Sequence, residues 1–212
     1  MPTRALHGTS AEDRVADRRQ RLVEAALDVV GERGVADFTM TAVCRAAGLT
    51  ERYFYENFAR REDLLVALFD RSAAASLADA AAAADAAPHD LERRTRAAIA
   101  AITDTLVADP RAARLYREAV GHRELAGRRR DTSAAFAELL ARLVVDAYPD
   151  LPRDDLLLTT TVLTAGVVEA VGSWLDGRLD TDLDRLLTRC ARLVAAAVDQ
   201  LRTDAIPSPE AP

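Results

Sequence analysis

Lysine is absent from this 212-residue sequence: all 28 cations are arginine, set against 34 Asp and Glu for a formal net charge of -6. An evenly spread acidic total would argue against a nucleic-acid partner, because attraction to phosphate needs a local excess of cations. Cysteine is scarce. Cys44 and Cys190 lie far apart with no C-x-x-C and no companion His at ligand spacing, which excludes a disulfide framework and a zinc site and points to a reducing cytoplasm. Long apolar runs are missing as well: the longest uncharged stretch, residues 156–168, has 13 residues, short of the roughly 20 that cross a bilayer, so no membrane span is expected. The N-terminus has no apolar h-region of a signal peptide. The sequence contains no H-E-x-x-H, G-x-S-x-G, phosphate loop or G-x-G-x-x-G, and His7, His89 and His122 have neither metal spacing nor an acid partner. No catalytic residue, cofactor or metal is expected.

What is present is helix-forming. Half of the residues are hydrophobic, Ala is the commonest, Gly numbers only 9, and alternation of period 2 is nearly absent, so the chain reads as all-α with about nine helices. Thr9-x-x-Glu12 fits a capping box for a first helix from Ser10, with Val15, Leu22, Ala26 and Val29 inward and Gly31 and Gly34 as its stop. Two short helices follow over residues 41–47 and 51–57, preceded by Thr39 and Thr50. Longer helices are expected over 61–86, 90–108, 110–120, 124–148, 153–176 and 182–202, the last capped by Thr181-x-x-Asp184. Residues 1–9 and the Pro-containing 203–212 read as disordered tails.

Two short helices joined by a tight Gly-containing turn form the unit that places its second helix in the major groove of DNA. Residues 38–61 supply it. Gly48 permits positive φ at the corner, Val43 and Leu49 fill the small core, and Thr39 and Thr50 place hydroxyls at helix starts where a phosphate can be met. Arg52 reaches a base edge or phosphate, Tyr53 and Tyr55 carry hydroxyls suited to the sugar-phosphate backbone, and Arg45 is a further backbone candidate. The charge is not evenly spread: residues 39–61 hold 4 Arg and 2 Glu, whereas the acid excess sits mainly beyond residue 66.

The segment from Phe38 to Phe58, with Ala47-Gly48-Leu49-Thr50 at its corner, Tyr55 and Phe58 three apart, and Arg61 followed by Leu64-Leu65, resembles the DNA-binding region of TetR-type repressors. Arg52, Asn57 and Cys44 depart from the family's commonest residues at their positions. The resemblance implies a helix-turn-helix domain over 10–60, a C-terminal ligand-binding and dimerisation domain over 61–202, and a homodimer that binds a palindromic double-stranded operator. Thr39, Thr41, Arg45, Thr50, Glu51, Arg52, Tyr53, Tyr55, Asn57 and Arg61 would face DNA. It further implies a small-molecule effector pocket, with Phe69, Leu106, Tyr116, Phe136, Leu140, Thr161 and Glu169 on the helices that line it in relatives. Glu169 stands in an otherwise apolar turn and reads as a buried acid. The last two helices would build a four-helix bundle between subunits, through Val167, Val171 and Trp174 on one and the apolar stripe Leu183, Leu187, Cys190 and Val194 on the other. A stripe that packs on its own subunit is the alternative for the last helix, and a helical protein-binding scaffold the alternative for the whole.

Overall fold

A computed structural model describes residues 11–204, which fold into nine α-helices and two short 3-10 turns, with no strand among the described residues. Helix α1 (Ala11–Arg33), α2 (Met40–Ala47) and α3 (Glu51–Tyr55) form the N-terminal head. Helix α4 (Arg61–Ala86) leads out of it into a body made of α5 (Leu91–Ala108), α6 (Pro110–Glu118), α7 (Ala126–Ala147), α8 (Arg153–Leu175) and α9 (Leu183–Asp204). The 3-10 turns Ala119–Gly121 and Arg123–Leu125 connect α6 to α7.

Caps account for most helix boundaries. Asp90 and Asp109 accept from Arg93 and Arg111 N–H groups at the starts of α5 and α6, and Pro110 takes the first position of α6 where its missing N–H costs nothing. At α4 the Asp63 carboxylate accepts from the Arg60 backbone N–H at 3.0 Å. Asp182, rather than Thr181, caps α9, accepting from Arg185 N–H at 2.7 Å. The last helix runs to Asp204, so residues 203 and 204 are helical where a tail was expected, and residues 205–212 lie outside the described residues. So do Ser10 and Thr9, on which the first capping box was read. Two short helices also end earlier than expected: α3 stops at Tyr55, where Asn57 Nδ2 bonds back to Tyr53 O, and α6 stops at Glu118.

Gly31 does not stop α1. The helix passes through it to Arg33, and Gly34 makes the exit with φ +83. Both glycines are needed for a different reason. A Cβ at Gly31 would stand 2.8 Å from Arg111 Cβ, and one at Gly34 would meet Arg114 Nη2 at 2.7 Å and the Glu118 carboxylate at 2.8 Å. Helix α6 therefore sits directly on the end of α1. Leu115, Ala119 and Leu125 from the body complete the head's core beside Leu22, Val30, Phe38, Phe54 and Leu68. Val15, expected inward, is exposed about two turns before that core begins at Leu22.

In the body, α5 packs along α4 and α9, and α7 along α8. Arg94, buried in the α4–α5–α7 junction, bonds Ala84 O and the Asp85 and Asp146 carboxylates, so its charge is paired and its fork filled. The apolar face of α9 turns inward: Leu187, Cys190, Val194 and Val198 are buried against this subunit's own helices. The stripe is packed within the subunit, as the alternative reading had it. Both thiols are buried, Cys44 in the head and Cys190 in the body, and burial raises their pKa, with Glu51 adding to the effect at Cys44; each acts as a small hydrophobe.

Helix α8 is the anomaly. Its most apolar 18-residue window has mean hydropathy 1.5, yet only 22% of that window is buried. By length and composition it would pass for a membrane span, which a count of uncharged runs did not register.

Candidate nucleic-acid interface and interior chamber

The corner between α2 and α3 is built as its residues require. Thr39 has extended φ and ψ and its Oγ1 accepts from Ala42 N–H at 3.2 Å, while Gly48 closes α2 in the left-handed conformation (φ 63, ψ 35) and Leu49 N–H returns to Cys44 O at 2.9 Å. Thr50 occupies the N-cap position of α3 but makes no cap bond, so its hydroxyl is left for another acceptor or donor.

Arginines of α1, which sequence reasoning passed over, hold this unit in place. Arg18 lies over the Tyr53 ring at 4.7 Å and pairs with Glu56; Arg19 lies over Phe58 at 4.3 Å and donates to Asn57 O; Arg21 donates to Ala47 O at the end of α2. The signal was the cluster Arg18-Arg19-x-Arg21 on the helix preceding the motif. Arg61 joins the same scaffold, donating through Nη1 to Phe38 O at 2.8 Å and through Nε to Glu62, whose carboxyl it holds below the ordinary range. Its expected place beside a phosphate therefore competes with a bracing role.

Among the expected DNA-facing residues, Thr39, Thr41, Arg45, Thr50, Glu51, Arg52, Tyr53 and Tyr55 are all exposed, and Asn57 is half-buried. Tyr55 is 59% exposed and its ring is met edge-on by Phe54 at 5.7 Å. The Arg52 side chain is 86% exposed and pairs with Glu56 at 3.1 Å, an ion pair that water screens and a phosphate can displace.

The body encloses two adjoining cavities of about 110 and 340 Å³. Ile102, Leu106, Tyr116, Phe136 and Val168 line both. Five of the seven expected pocket residues are there: Leu106, Tyr116 and Phe136 between the two, Leu140 in the inner cavity and Phe69 in the outer. Two are not. Thr161 is exposed and donates to Leu157 O, and Glu169 is an exposed acid that pairs with Arg178 at 3.5 Å and accepts from Ser173. Both sit on the outer face of α8, where an apolar sequence context reflects a bare surface instead of a core. Thr95 and Thr164 bring hydroxyls to the inner cavity instead.

The expected dimer residues split in the same way. Val171, Leu187, Cys190 and Val194 are buried within the subunit, Val167 lines the inner cavity, Leu183 packs against the body core, and Trp174 donates to Thr181 O across the α8–α9 turn. The exposed large apolar side chains of α8 and α9 are others: Leu158 at 66%, Val162 at 62% and Leu157 on α8, and Leu193 at 64% on α9.

A three-helix head with a helix-turn-helix corner is thus joined by a long helix to an all-α body. Residues 22–68 match the family model described as bacterial regulatory proteins, tetR family. The chain is 40% identical over 67 residues to the HTH-type transcriptional regulator BetI of Rhizobium meliloti (strain 1021), a match spanning 32% of this chain and about a third (32%) of that relative's length. Two solved structures share the fold along most of the chain. The fatty acid degradation regulator FadR from Bacillus halodurans superimposes with a TM-score of 0.67 at 21% identity, covering 82% of this chain and 96% of that one. The FadR from Bacillus subtilis in complex with stearoyl-CoA gives 0.64 at 16% identity, covering 86% and 96%.

Proposed function

We propose that the protein is a cytoplasmic, ligand-responsive repressor that binds a palindromic operator as a homodimer and leaves it when a predominantly apolar small molecule enters the body. One observation carries this: a matched helix-turn-helix whose Thr, Arg and Tyr side chains stand exposed on a scaffold braced by other arginines. With the bracing cations spent inside the head, affinity rests on a few placed groups such as Arg45, Thr50 and Tyr55 and on doubling them by symmetry.

The exposed apolar face of α8, with Leu158, Val162 and Leu193 of α9, is the surface on which the second copy would sit. A soluble monomer has no physical reason to leave such a helix bare. The FadR of Bacillus subtilis was solved with stearoyl-CoA, and the almost wholly apolar inner cavity here suits an effector with a long apolar part.

Helix α6 supplies a route from chamber to head. Tyr116 faces both cavities and donates to Val168 O, while on the same helix Arg111 pairs with Asp28, Arg114 donates to Gly31 O, and Glu118 accepts from Val35 N–H. An effector acts by binding better to the arrangement in which this contact is displaced. The test is fluorescence anisotropy of the full chain on duplex DNA from upstream of its own gene. Binding should weaken with salt and with Tyr55→Phe or Arg45→Ala; equal affinity in all three proteins would remove the recognition unit from the reading.

A further inference from the structure

The two cavities differ in chemistry along one axis. Helix α7 shows the gradient, because Arg129, Ser133, Phe136, Leu140 and Leu143 recur on one face and line the chamber from its polar outer part to its apolar inner end. That face is about 21 Å long at 1.5 Å per residue, the reach of a long-chain acyl group.

At the outer end the charges are spent except one. Arg71 pairs with Glu24 and Asp109 with Arg111, whereas Arg129 has no carboxylate partner among the described residues; its charge acts instead on the Tyr116 phenol, which burial otherwise pushes up. An unpaired guanidinium half-buried beside the hydroxyls of Thr132 and Ser133 is a receptor for one carboxylate. A head carrying several phosphates would need several unspent cations.

At the inner end the anomaly is Thr95. Its residue is 4% exposed, it lines the apolar cavity, and its Oγ1 has no hydrogen-bond partner. Leaving a buried hydroxyl unpaired is unfavourable, and here it is done against a wall whose other side-chain hydroxyls are Thr164 and the already bonded Tyr116. A purely hydrocarbon tail would leave Thr95 unpaired in the complex too.

We propose that the chamber takes a long-chain carboxylate bearing a hydroxyl or keto oxygen near its far end, the carboxylate at Arg129 and the distal oxygen at Thr95. This rests on the reading of the chamber as the effector site. Arg129 sets the class of head group, and Thr95 sets preference among chains of equal length.

Displacement of cis-parinaric acid from the full-length protein tests it, with palmitate, ω-hydroxypalmitate, cetyl alcohol and palmitoyl-CoA as competitors. The expected result is that ω-hydroxypalmitate competes roughly three- to tenfold better than palmitate, and that the near-isosteric Thr95→Val abolishes this difference while leaving palmitate unchanged. Arg129→Gln should weaken both acids by about tenfold or more and leave cetyl alcohol unaffected, which also shows that the variant is folded. Equal competition by palmitate and ω-hydroxypalmitate in the wild type overturns the role of Thr95. Tighter binding of palmitoyl-CoA than palmitate, or indifference of both acids to Arg129→Gln, overturns the head assignment. DNA anisotropy on the same preparation separates the two readings: intact DNA binding with no displacement by any acid sinks the ligand and leaves the regulator standing.

Discussion

The head and the body are both helical and similarly apolar, yet they relate to their sequence differently. In the head, each feature that matters is specified within a few residues: Thr39 caps its own helix, Gly48 turns the corner it occupies, and Phe54 and Phe58 fill the core one turn apart. In the body, what matters is which side of a helix meets what, and neighbours in sequence do not settle that. Helix α9 has one clear apolar face, and it points home; helix α8 is apolar nearly all round, and its outer side remains bare. The difference teaches that local capping and turn chemistry can be read from the chain directly, whereas the partner of an apolar face is decided by tertiary packing.

The largest expected effect comes from breaking the body's bare face. Leu158→Glu combined with Val162→Glu should convert a dimer to a monomer by light scattering at micromolar concentration and reduce operator affinity by more than tenfold, since half the contacts are lost. An unchanged dimeric mass would move the interface elsewhere. Next comes the joint between the regions. Gly34→Ala forces a Cβ into a positive-φ position and against Glu118, and should lower stability in chemical denaturation by about 1–2 kcal/mol from the backbone alone.

The same joint has a pH signature. Burial pushes the Glu118 carboxyl up, but hydrogen bonds from Arg114 and the Val35 N–H, with the charges of Arg114 and Arg117, together hold it below its ordinary 4.5. A depressed carboxyl stabilises the fold above its unfolded value, and that contribution is lost as pH falls through the folded value. The stability difference between wild type and Glu118→Gln should therefore be constant near neutrality and shrink below pH 4.5. A difference that persists unchanged in acid would show that the hydrogen bonds, not the charge, do the holding. The smallest effect falls on the head's surface: Arg52→Ala removes an exposed side chain tied only to Glu56, and should cost little affinity while relaxing sequence preference in a binding-site selection.

Much of the fold was legible. The 61–86 helix runs as expected, the starts of α6 and α8 fall on Pro110 and Arg153, and five of the seven pocket residues line the chamber. The failures share a cause. Glu169 looked buried because its neighbours are apolar, and Gly31 looked like a stop because glycine usually is one; in each case tertiary packing decides, through the bare outer face of α8 for Glu169 and through Arg111 for Gly31. The arginine cluster of α1 is visible in the sequence, but its partners are not, since Ala47 O and Asn57 O are contacts that periodicity does not encode.

A nuclease footprint of the full-length protein across the DNA upstream of its own gene tests the central claim most directly. Two protected half-sites related by a two-fold axis are expected, lost together as salt rises and lost together in the Leu158→Glu/Val162→Glu variant. No salt-sensitive protection, or protection by the monomeric variant equal to that of the wild type, would contradict it.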